Sequence, residues 1–500
     1  MSRLFRLTPL VAVCAMVAGA LHATPFASNV VLTGTNVSFI LNEPATNLVY
    51  SINGGAYVGL DGSTKGTKGF VLGSPTDTFS ISAGKSDSVG YTIPTGGTVA
   101  ADVNGLFAVA NASGFNLISD DTSVLNRFNS QRGLSVSNNP NAPNFGTAYV
   151  SNSAGASIAA SGPLPARTTG DGIYAIRADG SDAFGYGNTA ANPGGVFVAS
   201  ASTPWRNFVG SDGQVYVADF TDSNGNVYVM DPSLTTATAA LNGIGGPSIV
   251  PGTQKHGSAN AVYTEGSLAA GNLVLYTIDE DLTELTGTGS GNNTIKLNVW
   301  KYEIGSGPYP YAGTPTKING PGTLLINGTD ELIRGADGKY YISQLRSAGT
   351  DAATVLVLNP DGTVAFNSRT ESGGTQDILR NAQGMAVSED QKWMALMLNN
   401  SDVAVVPLVG GIPDLANRLV VDTGTNVNSG RDIAFDAAGN IHYASSGQAL
   451  YRVLSPGGTT WATTAWNGSS YSFSVVVPEP ATAALCLLGA IGFCGMRRRG

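Results

Sequence analysis

Short runs of alternating hydrophobic and polar residues recur along most of the chain, and turn-forming residues separate them. The pattern is clearest within residues 431–458, where residues 433–435, 441–444 and 449–454 alternate as β-strands do. Gly439 lies between the first two runs, where a tight hairpin needs a residue that tolerates positive φ. A single meander of this kind cannot bury both faces of its sheet, so the pattern predicts several copies that pack on one another.

Five degenerate copies of this strand–turn–strand pattern precede it. They begin near residues 132, 208, 261, 332 and 384, and the copy at residue 132 contains a long insertion. Their start-to-start spacing of about 50 to 75 residues suits blades of four strands plus loops. The sequence therefore predicts an all-β chain whose larger part is a β-propeller.

The run DIAFDAAGNIHYA at residues 432–444 resembles the phrase G-x-A-x-D-x-x-G-N-x-Y-x-A of NHL and gluconolactonase-like β-propellers. Asp432 and His442 stand where the phrase has Gly and Tyr. The resemblance covers roughly residues 124–468 and implies a propeller of six or seven blades. It concerns fold more than activity, because one fold hosts many functions.

The same resemblance implies where a ligand site would lie. Lactonase-type members of the group hold calcium at the mouth of the central channel with acidic and amide residues. The family's Asp after the second strand of a blade is present at Asp219, whereas Asn152, Gln344 and Ser445 replace it in other copies. No carboxylate therefore recurs at this position in every blade.

Residues 24–97 predict a separate, small β-sandwich. Short alternating strand patterns occupy residues 30–32, 37–41, 48–52, 69–72 and 79–82. Residues 37–46, VSFILNEPAT, resemble the Ig-like domain of the flagellar hook-capping protein. The propeller is then expected over residues 98–476, with residues 106–109 completing a blade with C-terminal strands near residues 471–477.

The N-terminal end predicts export. Residues 1–23 combine Arg3 and Arg6 with an apolar run over residues 10–21 and small residues near the end, as a secretory signal peptide does. We expect the mature body to begin near residues 20–24.

The C-terminal end has a short proline motif, an uncharged apolar run over residues 481–496 and a basic cluster. The motif and cluster residues are Pro478, Glu479, Pro480, Arg497, Arg498 and Arg499. As a helix rising about 1.5 Å per residue, the run spans about 24 Å, short of a bilayer core of about 30 Å. By the positive-inside rule, the arginines would hold its end in the cytoplasm.

Residues 477–500 thereby resemble the PEP-CTERM sorting signal of exopolysaccharide-producing Gram-negative bacteria. The resemblance implies that an exosortase-type membrane protease cuts near the proline motif. The body would pass from an inner-membrane intermediate to the cell surface or extracellular matrix. A permanent transmembrane anchor is the alternative interpretation.

Charge and cysteine content exclude several classes of function. The formal net charge of −9 argues against a nucleic-acid partner, because phosphate binding needs a basic surface. Cys14, Cys486 and Cys494 all lie in the predicted targeting segments. The predicted mature body therefore has no thiol nucleophile and no cysteine-based zinc site.

Two acidic segments are candidate metal sites, although neither predicts a catalytic residue. Asp219, Asp222 and Asn224 offer closely spaced oxygens beside a glycine, which calcium favours, but a plain hairpin turn explains the same residues. Asp279 and Asp281 belong to the densest acidic cluster, for which a solvated loop is the alternative. His256 and His442 are too isolated to predict a metal site or a catalytic triad.

Tyr309 and Tyr311 are candidate ligand contacts, because aromatic rings stack on sugar rings. The alternative is a packed loop that covers a blade edge.

The sequence favours a non-enzymatic exported surface or matrix protein that binds exopolysaccharide or protein partners and needs no cofactor. A calcium-dependent, lactonase-like hydrolase that uses the central funnel of the propeller is the alternative.

Overall fold

A computed structural model of the chain describes most of its length. The described residues are 25–85, 91–92, 110–111, 115–185, 189–197, 203–221, 225–241, 258–285, 295–319, 331–344, 353–373, 377–379, 382–398, 401–421, 430–456 and 460–476. Both predicted targeting segments and His256 lie outside them. Within these ranges, no helix is long and apolar enough to cross a membrane.

Six sheets of antiparallel strands form the blades of a propeller within the described residues, and we number them in chain order. From the inside outward, the strands are Gln131–Val136, Ala148–Asn152 and Gly172–Ile176 in blade 1; Asn207–Val209, Val215–Asp219, Asn226–Met230 and Ala237–Ala239 in blade 2; Ala259–Glu265, Leu273–Leu285, Ile295–Gly305 and Thr316–Lys317 in blade 3; Glu331–Arg334, Tyr340–Ser343, Val355–Leu358 and Val364–Asn367 in blade 4; Gly384–Val387, Trp393–Met397, Val403–Val409 and Leu419–Val421 in blade 5; and Gly430–Phe435, Ile441–Ser445, Leu450–Pro456, Phe115–Leu117 and Tyr91–Thr92 in blade 6.

Smaller elements decorate these blades. Ala110–Asn111 adds to the outer edge of blade 5 in parallel, and Ile412–Pro413 pairs with the same blade. The insertion in blade 1 contains the hairpin Ala156–Ile158 and Arg167–Thr169. The helices are the 3-10 turns Val124–Asn126, Pro193–Gly195 and Leu415–Asn417 and the single α-helical turn Ser368–Glu371.

The blades close into a ring around a central axis. The inner strand of each blade contacts the inner strand of the next, and that of blade 6 contacts that of blade 1. Six hydrophobic clusters, one between each pair of adjacent blades, form the core. A blade alone would expose both of its apolar faces, so the predicted stacking of copies is confirmed.

The last blade takes its outer strand from the segment that precedes the first blade. Phe115–Leu117 pairs with Leu450–Pro456, and Asp121 just beyond it accepts hydrogen bonds from Arg452 at 3.0 and 2.7 Å. The expectation that a strand before residue 124 closes the ring is confirmed. The predicted strand at residues 106–109 lies outside the described residues.

The predicted partner for closure, near residues 471–477, was wrong. Tyr471–Val476 pairs with Thr460–Trp466, which in turn pairs with Phe79–Lys85 of the N-terminal sandwich. Alternation of residue types identifies a strand but does not say which sheet edge it will join. The propeller is therefore inserted in sequence between two neighbouring strands of the sandwich.

The sandwich has two sheets that pack around an apolar core. Their strands are Ala27–Thr33, Asn36–Leu41 and Gly66–Val71 in one sheet, and Val58–Gly59, Asn47–Ile52, Phe79–Lys85, Thr460–Trp466 and Tyr471–Val476 in the other. The predicted all-β fold of a small sandwich and a propeller is confirmed, and two strands of the sandwich follow the propeller in the sequence.

The sandwich contacts one face of the propeller. We call the face at which the inner strands begin the upper face and the opposite one the lower face. The rings of Phe26 and Phe473, from the sandwich, meet that of Phe145, in the lower-face loop of blade 1, with centroids 5.4 to 5.8 Å apart. Nearby, Lys85 bridges the buried Glu43 at 3.2 Å and donates to Ser455 of blade 6.

We predict that Phe145→Ala destabilises the whole chain by about 3–5 kcal/mol, because it empties an aromatic contact on which sandwich and propeller both depend. Chemical denaturation measures this. Tyr57→Ala is the control, because Tyr57 is 66% exposed and its loss should change stability by less than about 0.5 kcal/mol. Two separate unfolding transitions in the wild-type protein would contradict the idea that the domains stabilise each other.

Candidate functional site

Hairpin register aligns the inner strands. The pairs Val136–Ala148, Val209–Val215, Arg334–Tyr340 and Phe435–Ile441 close corresponding hairpins, and Val387–Met394 does so in blade 5. The first residue named in each pair belongs to the inner strand. The residues three positions before it in the sequence lie at the same height along the central channel.

Charged and small residues alternate around that level. Blade 3 has a longer hairpin, but its Tyr263 packs on Phe208 with centroids 4.5 Å apart and so aligns Ala261 with the other blades. From blade 1 to blade 6 the residues are Gly133, Arg206, Ala261, Glu331, Gly384 and Asp432. We call this set the central ring.

Arg206 crosses the channel. Its guanidinium donates to the backbone carbonyls of Arg132 at 2.6 Å, Arg431 at 2.9 Å and Gln383 at 2.7 Å. It also lies 3.2 Å from a carboxylate oxygen of Glu331 and 3.4 Å from one of Asp432. One side chain of blade 2 thus binds blades 1, 4, 5 and 6.

The small members of the ring allow adjacent inner strands to approach closely. A Cβ at Gly133 would lie 2.5 Å from the carbonyl oxygen of Trp205, and one at Gly384 would overlap the backbone of Asp432. Larger residues at these two positions would push apart the strands that carry the Arg206 contacts. The alternation therefore has a packing cause as well as an electrostatic one.

Arg206 is the one positive charge that contacts both Glu331 and Asp432. Burial, followed by the charge of Asp432, raises the pKa of Glu331 well above its usual range. Burial also raises the pKa of Asp432 to about 6, although Arg206 and the backbone N–H groups of Ile433 and Leu134 oppose that shift. The contact between the two groups favours the proton on Glu331 and the negative charge on Asp432, which faces Arg206.

Two more arginines surround the upper mouth of the channel. Arg132 donates from Nε to the Ser153 hydroxyl at 3.1 Å, and its guanidinium lies 4.9 Å from the centroid of the Trp205 ring. Arg431 donates from Nε to the Ser446 hydroxyl and from Nη1 to Oε1 of Gln383, both at 2.8 Å. The mouth is therefore basic although the whole chain is acidic.

The sequence-predicted metal residues are only partly brought together. Asp219 and Asp279 are both buried. Asp219 ends the second strand of blade 2 on the upper side, and Asp279 lies within the second strand of blade 3, opposite Ala259 at the start of the inner strand. Asp222 and Asn224 lie outside the described residues, and Asp281 belongs to a strand whose side chains there are not described. Within the described residues, no group of three or more His, Cys, Asp or Glu side chains could hold a metal ion.

Asp219 has polar neighbours from its own blade. Its two oxygens accept hydrogen bonds from the hydroxyls of Thr203 at 2.9 Å and Thr221 at 2.7 Å. Burial raises its pKa to about 6. The pair Asp219–Asn226 ends a hairpin ladder, as the hairpin interpretation of this segment expected.

The remaining sequence candidates lie elsewhere. Tyr309 and Tyr311 pack against the core between blades 2 and 3, with the Tyr309 hydroxyl 3.3 Å from that of Tyr216 and the Tyr311 ring against Tyr302. His442 is buried, and its ring nitrogens face Tyr451 at 2.6 Å and Asp436 at 3.4 Å. The six residues of the predicted sorting signal lie outside the described part of the chain.

Sequence reasoning missed the central ring, although a signal was present. The ring position corresponds to the first Gly of the repeat phrase, which Gly133 and Gly384 retain. Arg206, Glu331 and Asp432 replace that Gly with charges of opposite sign. Aligning all six copies would have shown three charged exceptions at one level of a closed ring.

In fold the chain is similar to several solved structures. A protein of unknown function from Bacteroides thetaiotaomicron is 13% identical to it with a TM-score of 0.40, over 84% of this chain and 94% of that one. A gluconolactonase from Xanthomonas campestris is 12% identical with a TM-score of 0.38, over 67% and 88%. The WD40 repeats of RRP9 are 9% identical with a TM-score of 0.40, over 70% and 99%.

No family model and no curated protein matches the sequence. The structural likenesses are distant, so activity has to be argued from the residues of the site.

The central carboxylates do not fit a calcium site. Calcium takes six to eight oxygen ligands, most of them free carboxylate or carbonyl oxygens. Here the Arg206 guanidinium already supplies the positive charge for Glu331 and Asp432, and it also binds three of the nearby carbonyl oxygens. A second cation at the same level would be repelled by the first.

We predict that Arg206→Met lowers the free energy of unfolding by about 3–5 kcal/mol, because it leaves the buried carboxylate of Asp432 without its counter-charge. Arg334→Met is the matched control, since it breaks a half-exposed pair with Glu265 and should change stability by at most about 1 kcal/mol. Adding Asp432→Asn to Arg206→Met should recover part of the loss. Equal stability of Arg206→Met and the wild type in denaturant titrations would refute the network.

The raised carboxyl pKa values predict a pH dependence with a definite sign. Glu331 holds its proton more tightly when folded than when unfolded, so its stabilising contribution is present below its unfolded pKa and fades as pH rises. Glu331→Gln removes this titration. The denaturation midpoint should therefore fall less in Glu331→Gln than in the wild type as the pH rises above the usual pKa of a glutamate. Parallel curves for the two proteins would show that Glu331 ionises normally.

Proposed function

We propose that this chain is a non-enzymatic exported protein that binds polysaccharide or protein at the cell surface or in the extracellular matrix. The observation that carries the proposal is the Arg206 side chain across the propeller channel. A catalytic funnel needs reacting groups that substrate can reach. The charged side chains of the central ring are instead buried and paired with one another, as structural groups are.

The buried state of the carboxylates supports this proposal. Asp432 is 1% exposed and Glu331 is 7% exposed. Such low exposure disfavours contact with the water or hydroxyl that a general base must reach. The calcium-dependent hydrolase is the second candidate, and the buried Asp219 and Asp279 at the upper side of blades 2 and 3 are the residues that favour it.

The two terminal segments of the sequence are the basis for including export and sorting in the proposal. The signal peptide of residues 1–23 would bring the chain across the inner membrane, and an exosortase-type protease would process residues 477–500. The last described strand ends at Val476, in the sandwich that contacts the lower face of the propeller. A tail that begins there would hold the lower face toward the membrane and leave the upper face free for a partner.

Two measurements on the purified protein test the proposal. We expect retention on the exopolysaccharide or surface fraction of the producing bacterium, together with no calcium-stimulated hydrolysis of sugar lactones. Calcium should also leave the melting temperature unchanged. Lactone hydrolysis that depends on calcium and is lost in Asp219→Asn would replace the proposal with the hydrolase alternative.

A further inference from the structure

We propose that the upper mouth of the channel, between Arg132 and Arg431, binds the carboxylate of a sugar acid. The carboxylate could come from a free sugar acid or from a uronate residue of a polysaccharide. The inference rests on the proposed binding function and names the ligand chemistry of that function.

The two arginines are oriented but not neutralised. Each is fixed through Nε by a serine hydroxyl, Ser153 for Arg132 and Ser446 for Arg431. Among the described residues, neither guanidinium has a carboxylate partner. Nη1 and Nη2 of Arg132 and Nη2 of Arg431 donate no hydrogen bond to any described group. A carboxylate between the two side chains would accept from these N–H groups in the planar geometry that arginine favours.

The third arginine makes the mouth more attractive to an anion. Arg206 lies directly below, bonded to the backbone carbonyls of both Arg132 and Arg431. Burial and the charge of Arg206 lower the pKa of Arg132 to about 10, and burial with both neighbouring charges lowers that of Arg431 to about 9. Positive charges held this close together repel one another, so a bound anion would relieve the repulsion.

Uncharged polar residues at the upper ends of the inner strands suit the hydroxyls of a sugar. The Trp205 indole N–H, under the Arg132 guanidinium, has no hydrogen-bond partner among the described residues, and the same is true of both amide atoms of Gln131 and of Asn260. All three side chains are at most 6% exposed. Gln131 precedes Arg132, and Asn260 occupies in blade 3 the level of Trp205 in blade 2. Buried polar groups of this kind require a partner.

The central ring limits how the ligand can enter. Arg206, Glu331 and Asp432 block the channel immediately below the mouth, so a ligand reaches the arginines only from the upper face. A terminal sugar acid, or the end of a polysaccharide chain, fits this arrangement better than a strand threaded through the channel.

Titration calorimetry with the full-length protein tests the proposal. The probes are glucuronate, its uncharged amide glucuronamide, a glucuronate oligosaccharide and inorganic phosphate. We expect glucuronate to bind at least about tenfold more tightly than glucuronamide, because two charge-assisted hydrogen bonds are lost with the charge. Tighter binding of the oligosaccharide would identify a polysaccharide as the source, and equal binding a free sugar acid.

Variants locate the site. Arg132→Gln and Arg431→Gln should each weaken glucuronate binding by about tenfold or more. Lys392→Gln, which removes an exposed positive charge from the lower-face hairpin of blade 5, should leave it unchanged. Unaltered binding in both arginine variants would overturn the proposal.

Outcomes with the wild-type protein alone also decide the matter if a variant fails to fold. Equal affinity for glucuronate and glucuronamide, or tighter binding of phosphate than of glucuronate, would refute a carboxylate site. Failure of these tests while exopolysaccharide retention persists would reject this inference and leave the proposed function intact. Arginine-dependent glucuronate binding accompanied by lactone hydrolysis would support this inference and reject the proposed non-enzymatic function.

Discussion

The ion-pair network of Arg206 is the contact on which the closed ring depends at its centre. Six inner strands converge there, and their backbone carbonyls would otherwise face one another across the axis. One guanidinium lies beside Glu331 and Asp432 and donates hydrogen bonds to backbone carbonyls of three blades. Because Arg206, Glu331 and Asp432 come from different blades, the network forms only when the ring has closed.

The same network lies between two faces of the propeller that differ in their contacts and charge. Below it, the sandwich packs through Phe26 and Phe473 onto blade 1, and Lys85 reaches blade 6. Above it, Arg132 and Arg431 remain without a counter-charge among the described residues. A protein that is acidic overall thereby presents a small basic mouth on the face opposite the sandwich.

A structural role for buried carboxylates has a thermodynamic consequence. Groups whose pKa is raised by burial weaken the fold as pH rises through the window between the unfolded and folded values. Despite this effect, Glu331 and Asp432 are favourable at the centre, since a buried arginine alone at the axis would be less favourable still. The contacts of the three ionisable groups stabilise the closed ring, whereas their desolvation destabilises it.

The sequence by itself determined the strands, the hairpin turns and the repeat, because each depends on neighbours within a few residues. Gly439 illustrates this: it was expected to have positive φ, and it has a φ of 85°. Only the tertiary structure decided which edges pair, so the strand near residue 471 joins the sandwich and Phe115–Leu117 closes blade 6. It alone brought Arg206 to Glu331 and Asp432, since residues so far apart in sequence meet only when the ring closes.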